Sequence, residues 1–443
     1  MTTAPEPLLR LRDWSLSRRV PGGEQVVLDS IDLDLWPGCW VAVIGANGSG
    51  KSSLLKYLAS EESPVSDRAA IMFQDPDEQI FASSVERELT LGRPGLDAPT
   101  VLGEYGLGDL SRLDPALISA GQKQRLALAV ALAGEPELLL CDEPTALQDP
   151  HQAAWVLDKL DRWRTSRSGC LVTATCDRRE AARADRLVVL EAGRIVRDGE
   201  PAALLDDPVV VGLLGDGRET AATTAWRPEA SEAPVLSLHG VACRFAGAGG
   251  GFGPLDLELG PGARLGITGA NGCGKSTLLA ACTGARRPDR GLVRIAGHEL
   301  YVDRQRDLEH GLALLAPQFP EYLFTRSTVA DEIGLDPALA DRDVPEFLRH
   351  LGLPPAIGPR NPFTLSCGQR RRLALGLVLG SGRRLLLLDE PTAALDRRGR
   401  ALVLDLLEAL PPAAALVIAS HDRDFLAAAG CRLFAMGPRA TPV

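Results

Sequence analysis

The sequence predicts an α/β protein of two tandem domains, each built around a mainly parallel sheet. Three observations carry the prediction. A glycine-rich loop occurs twice, as Gly45-Ala46-Asn47-Gly48-Ser49-Gly50-Lys51-Ser52 and Gly269-Ala270-Asn271-Gly272-Cys273-Gly274-Lys275-Ser276. A continuous apolar run ending in two acids also occurs twice, as Leu138-Leu139-Leu140-Cys141-Asp142-Glu143 and Leu385-Leu386-Leu387-Leu388-Asp389-Glu390. A strand buried on both faces of a parallel sheet reads in this way. The segments around these motifs recur in one order in both halves, an internal repeat of about half the chain. At 443 residues the chain exceeds one ordinary core.

Composition narrows the function classes. The formal net charge is −10 and Lys and Arg form no stripe, which disfavours nucleic acid as a partner. The nine Cys show no C-x-x-C pair and no zinc spacing. Cys141 in an apolar run and Cys273 in a glycine loop read as thiols, which suggests a reducing compartment. The start of the chain shows no basic segment followed by an apolar one, and no apolar run approaches a membrane span. The expectation is a protein that is soluble, or peripheral to a membrane through a partner.

In chain order, Leu9-Arg10-Leu11 begins an apolar–polar alternation that is clearest at Ile31, Leu33 and Leu35, a half-buried strand. Pro37-Gly38 turns the chain. The run Val41-Ala42-Val43-Ile44 leads into the first glycine loop, and Ser53-Leu54-Leu55-Lys56 opens a helix. The second half repeats the plan with Leu255, Leu257 and Leu259, the turn Gly260-Pro261-Gly262, Leu265-Gly266-Ile267 and Thr277-Leu278-Leu279. Both loops fit G-x-x-x-x-G-K-[ST], the phosphate-binding P-loop, in its strand–loop–helix setting. The glycines admit backbone N–H groups to phosphate oxygens, and the helix start adds positive potential. Lys51 and Lys275 would reach the outer phosphates, and Ser52 and Ser276 would ligate Mg²⁺. Of 48 basic residues only five are Lys, and two of those stand where the motif demands Lys.

The halves differ next. Lys51 to Gln74 is 23 residues, whereas Lys275 to Gln318 is 43. The second half holds an alternating strand, Gly291 to Gly297, where the first has only Glu61 to Ser66, which reads as a lost hairpin. Then Phe73-Gln74-Asp75-Pro76-Asp77-Glu78-Gln79-Ile80-Phe81 matches Pro317-Gln318-Phe319-Pro320-Glu321-Tyr322-Leu323-Phe324. Ile118-Ser119-Ala120-Gly121-Gln122 and Leu365-Ser366-Cys367-Gly368-Gln369 each precede an Ala/Leu-rich run that reads as a buried helix, with Ser119 and Ser366 as N-caps. The acids at the ends of the two apolar runs lie where ligands bind in open α/β sheets. Asp142 and Asp389 suit Mg²⁺; Glu143 and Glu390 suit polarising a water. Finally Leu171 to Asp177 matches Leu416 to Asp422, with Cys176 opposite His421.

These motifs, in this order, resemble two fused ATP-binding cassettes of the ABC transporter superfamily, at residues 1–212 and 234–443 with a linker at 213–233. The resemblance implies that each cassette adds an antiparallel subsheet and a helical subdomain to its sheet. It implies ATP and Mg²⁺ as ligands. Nucleotide would be held by Gly45, Asn47, Gly48, Gly50, Lys51, Ser52 and Ser53, and by Gly269, Asn271, Gly272, Gly274, Lys275, Ser276 and Thr277. Phe245 is the candidate adenine-stacking aromatic, with Arg18 at the matching place and Trp14 nearby. In the family, the cassettes pack head to tail. One site would then add Ser119, Gly121 and Gln122 to Lys275, Ser276, Gln318, Asp389, Glu390 and His421. The other would add Ser366, Gly368 and Gln369 to Lys51, Ser52, Gln74, Asp142, Glu143 and Cys176. Catalytic roles fall to Glu390, His421, Gln318 and Glu143; Mg²⁺ ligation falls to Ser52, Gln74, Asp142, Ser276, Gln318 and Asp389.

The Gln segments and Asn361-Pro362-Phe363-Thr364-Leu365-Ser366 further resemble the ATPase subunits of energy-coupling-factor importers. That resemblance implies a polytopic membrane scaffold and a substrate-binding membrane protein as partners, at the cytoplasmic face of the membrane, with the cassettes pairing within one chain. The sequence departs from the family at Gln148, where Leu395 stands in the other half, and at Cys176. A thiol is shorter than an imidazole and a weak hydrogen-bond partner. The expectation is one competent site, around Glu390 and His421, and one impaired site. The alternative reading is a soluble twin-cassette ATPase acting on the ribosome; a non-hydrolysing scaffold is disfavoured by Glu390 and His421.

Overall fold

Successive residues of a strand face opposite sides of its sheet, and the central strands here are covered on both sides. The computed structural model describes residues 6–20, 23–146, 148–214, 234–244, 251–301, 312–319, 323–393 and 395–437. The chain divides into two units, residues 1–218 and 219–443. The sequence-predicted linker lies outside the described residues from 215 to 233.

The first unit contains β1 (Leu9–Val20), β2 (Gly23–Leu35), β3 (Trp40–Ile44), β4 (Ala69–Met72), β5 (Leu138–Asp142), β6 (Cys170–Ala174), β7 (Arg186–Glu191) and β8 (Arg194–Gly199). Strands β1 and β2 form a two-stranded antiparallel sheet, with Leu9 opposite Leu35 and Leu11 opposite Leu33. The main sheet has the order β4-β5-β6-β3-β7-β8 and is parallel except for β8. Trp40, Ala42 and Ile44 of β3 pack into one hydrophobic cluster with Leu126 and Leu128 of the helix Ala120–Ala133. Val41 and Val43 pack into another with Leu28, Ile31, Leu54 and Leu55. Each fully buried Leu contributes about 2 kcal/mol.

The second unit contains β9 (Leu236–Arg244), β10 (Gly251–Leu259), β11 (Arg264–Thr268), β12 (Arg290–Ile295), β13 (His298–Glu299), β14 (Ala313–Ala316), β15 (Leu385–Asp389), β16 (Ala415–Ala419) and β17 (Arg432–Ala435). Its main sheet is parallel, in the order β14-β15-β16-β11-β17. Its antiparallel sheet has the order β10-β9-β12-β13. Among its described residues the first unit has no counterpart of the hairpin β12–β13; there, a 3₁₀ turn at Ser66–Arg68 leads straight into β4. Short helices, Val85–Thr90 and Ala98–Glu104 in the first unit and Val329–Ile333 and Val344–His350 in the second, lie between the Gln segment and the Ala/Leu-rich helix in sequence.

In both units the P-loop, the acid pair and Cys176 or His421 follow adjacent parallel strands. All therefore emerge at the carboxyl edge of one sheet, the edge where open α/β sheets hold ligands.

Candidate functional site

The two P-loops are built alike. Gly50 and Gly274 cap the helices Lys51–Leu58 and Lys275–Ala281 at φ 109° and 108°, in left-handed conformations that side chains resist. A Cβ on Gly50 would also meet Leu28 Cδ2 at 2.7 Å. The Lys51 ammonium donates to the carbonyls of Gly45 at 2.7 Å and Ala46 at 3.3 Å. Lys275 donates to Gly269 at 2.8 Å and Ala270 at 3.3 Å. Both lysines are only 7% exposed, while Ala46, Asn47 and Gly48 of the first loop and Ala270 and Gly272 of the second face solvent. A buried ammonium held by neutral carbonyls beneath an open loop fits an anionic phosphate. Ser53 and Thr277 follow as half-buried helical residues.

The proposed Mg²⁺ ligands also meet. The Ser52 hydroxyl hydrogen-bonds Asp142, and Ser276 hydrogen-bonds Asp389. Burial pushes both aspartic acids up, and the serine and lysine neighbours draw them back. A hydroxyl beside a carboxylate is the hard oxygen set that Mg²⁺ takes, its other ligands being water and phosphate. Gln74 and Gln318 stand half-buried just past β4 and β14. Among the described residues no hydrogen bond joins their side chains to the Ser–Asp pairs.

Glu143 and Glu390 adopt left-handed backbone, φ 51° and 45°. For a non-glycine residue this costs on the order of 1 kcal/mol and needs support from its surroundings. Each Glu N–H donates at 2.8 Å to the neighbouring strand, at Ala174 and Ala419 respectively. In the second unit the Glu390 carboxylate accepts from the Ser420 hydroxyl at 3.0 Å and from the His421 N–H at 3.4 Å. The ring Nε2 of His421 lies 2.9 Å from both Lys275 Nζ and Asn271 Oδ1, and 3.5 Å from Glu390 Oε1. Burial pushes Glu390 up to about 7, against the charge of Lys275 and with a further rise from Asp389. Such a carboxyl is poised to exchange a proton near neutrality.

In the first unit burial also raises Glu143, against the charge of Lys51. Here the thiol and N–H of Cys176 hydrogen-bond Glu143. One sulfur atom stands where the imidazole reaches lysine and asparagine in the other unit. A further carboxyl, Glu180, is fully buried nearby; Phe425 holds the matching place in the second unit.

Ser119 and Ser366 cap their helices through complete capping boxes with Gln122 and Gln369. Gly121 and Gly368 are buried in the first turns. None of these six hydrogen-bonds the P-loop of its own unit among the described residues. Phe245 lies outside the described residues. Arg18 is exposed on β1, and Trp14 stacks on Tyr57 with ring centroids 3.9 Å apart. Sequence reasoning missed the left-handed acids, Ser420 and Glu180, together with Gln124 and Arg371, which hold the carbonyls of Glu143 and Glu390. The available signal was the exchange between halves, Gln124 for Arg371 and Glu180 for Phe425.

The sequence pattern described as "ABC transporter" matches residues 28–146 and 252–393, once in each unit. The chain belongs to the ABC transporter family. Its two units are ABC cassettes, and ABC ATP-binding proteins are ATPases associated with transport, whose domains bind ATP and generally need Mg²⁺. An uncharacterized ABC transporter ATP-binding protein of Mycobacterium tuberculosis is 32% identical over 437 residues, covering 91% of this chain. The chain spans 58% of that relative's own length. A Bacillus subtilis relative, provisionally named an HMP/thiamine import ATP-binding protein, is 27% identical over 470 residues, 91% of this chain and 85% of that protein. Among solved structures, ribosome-bound archaeal Pelota and ABCE1 matches with a TM-score of 0.66 and 19% identity, covering 91% of this chain and 74% of that one. That likeness shows the shared twin-cassette fold.

Proposed function

We propose that the chain is the ATP-hydrolysing motor of an ABC importer of the energy-coupling-factor type, serving a vitamin or metal ion. Its cassettes, 1–212 and 234–443 joined by 213–233, would pair within one chain. Each P-loop would work with the signature segment of the other cassette, as the family resemblance implies. The motor would sit at the cytoplasmic face of a membrane, docked on a polytopic scaffold with a substrate-binding membrane protein. The import name of the Bacillus subtilis relative supports the direction and the cargo class.

The observation that carries the hydrolytic reading is the cluster of Glu390, His421, Lys275 and Asn271. In ATP + water → ADP + phosphate, Glu390 accepts a proton from the attacking water. His421 orients the terminal phosphate and the water, and Lys275 offsets charge on the outer phosphates. Ser276 and Asp389, with Gln318, would hold Mg²⁺, which neutralises charge on the phosphates when bound. The first cassette keeps Lys51, Ser52, Asp142 and Glu143 but has Cys176 for the histidine, so we assign it the slower site. Glu390→Gln should abolish phosphate release by the purified chain, whereas Glu143→Gln should lower it by less than about twofold, since losing one donor to a transition state already costs on the order of 10²–10³ in rate. Equal losses in the two variants would defeat the assignment.

The second reading, a twin-cassette ATPase acting on the ribosome, shares its fold with the ribosome-bound protein above. At 19% identity that likeness supports the fold and leaves the partner to experiment.

A further inference from the structure

Arg371 is buried in the helix Cys367–Gly380, at 5% exposure. One arm of its guanidinium, Nη1–H, donates to the carbonyl of Glu390 at 2.7 Å. The other, Nη2–H, donates to the carbonyl of Gln318 at 2.6 Å. A guanidinium is planar and its donors are fixed relative to one another, so these two carbonyls are held at a set separation. Glu390 has left-handed backbone, φ 45°, which needs such support.

The first cassette divides the same tasks between residues. Gln124 stands where Arg371 does and is 1% exposed. Its amide donates to the Glu143 carbonyl at 3.3 Å, and its oxygen accepts from Gln148 at 2.7 Å. Gln148 in turn donates to the Gly121 carbonyl at 3.3 Å. The Gln74 segment is tied separately, by the ion pair of Lys123 with Asp77 at 2.6 Å. Moving that segment therefore strains Lys123 rather than the Glu143 carbonyl. In the second cassette, shifting the Gln318 main chain either breaks a bond to Arg371 or carries Glu390 with it.

We propose that Arg371 is a positioning residue of the second cassette, whose rigid fork joins the Gln318 segment to the backbone of Glu390 and so sets the base for its water. The inference rests on the ATPase reading above and goes beyond it by naming the mechanical link. Displacement of a reacting group by about 1 Å costs on the order of 10² in rate. The loss should therefore appear in turnover and not in nucleotide affinity.

The test uses the purified full-length chain, with phosphate release measured against Mg-ATP and a fluorescent ATP analogue as the binding probe. Arg371→Gln, which installs the group of the first cassette, should lower kcat by at least about tenfold. KM and probe affinity should stay within about twofold on the same reasoning. Arg371→Lys keeps the charge without the planar fork and should fall between. Turnover of Arg371→Gln within twofold of wild type, or a loss that tracks probe affinity, overturns the proposal. If Arg371→Gln does not fold, Arg371→Lys decides: lowered kcat at unchanged KM supports the link, and wild-type kcat refutes it. Glu390→Gln run alongside separates the two levels. A dead Glu390→Gln beside an active Arg371→Gln refutes the link alone, whereas an active Glu390→Gln refutes the assignment of Glu390 as the base on which the link rests.

Discussion

Replacing Glu180 by Gln should make the first cassette more stable, and increasingly so as pH rises. Glu180 lies in the short helix Arg178–Ala181 and is fully buried. One carboxyl oxygen accepts from the Thr145 hydroxyl at 3.0 Å, and the Thr173 side chain also hydrogen-bonds the carboxyl. Burial, with the nearby acids Glu143 and Asp177, pushes its pKa from 4.5 up to about 8. The native state thus binds this proton more tightly than the unfolded chain does. Its contribution is full below about pH 4.5 and is lost as pH rises toward about 8. At about 1.4 kcal/mol per pH unit, raising the pH from about 5.5 to about 7.5 removes roughly 2 kcal/mol. Gln is neutral throughout and keeps an oxygen for Thr145. For a unit of about 200 residues this is roughly 4–8 °C in Tm. Scanning calorimetry of both proteins at the two pH values reads it directly, as a gap between variant and wild type that widens by that amount. A gap of the same size at both would show that the carboxyl is not protonated in the folded protein, and would refute the reasoning.

Cys176→His placed in a Glu390→Gln chain should raise phosphate release at least tenfold, since it restores the imidazole that the second cassette uses against its lysine and asparagine; no gain would show that something other than the thiol limits the first site. A tagged pull-down from detergent-solubilised membranes, read by mass spectrometry, should recover a polytopic scaffold protein and a small membrane protein. Ribosomal proteins without a membrane partner would favour the ribosome reading instead.

Local features were legible because local forces make them. The alternation of Ile31, Leu33 and Leu35 follows from a strand with one face in the core, and all three are buried. Ser119 and Ser366 cap helices because a hydroxyl at that place satisfies an N–H three residues on. The missing hairpin was visible as a difference in spacing, and among the described residues the first unit has a two-stranded antiparallel sheet where the second has a four-stranded one. The site was less legible where its chemistry depends on what closes around a side chain. Glu180 sits among polar neighbours in sequence, Asp177, Arg178 and Arg179, and reads as a surface residue. The fold instead turns it inward, under Thr145.

The sequence by itself determined the repeat, the two P-loops, the acids that end β5 and β15, and the exchange of Cys176 for His421. Each depends on residue type and short spacing, which folding does not alter. Only the tertiary structure decided the state of those acids and what holds them. Glu390 shifts because burial removes water from its carboxyl. Its backbone is supported by Arg371 and Ala419, 19 residues before it and 29 after. Desolvation and long-range hydrogen bonds exist only once the sheet has brought distant segments to one edge, so no local pattern encodes them.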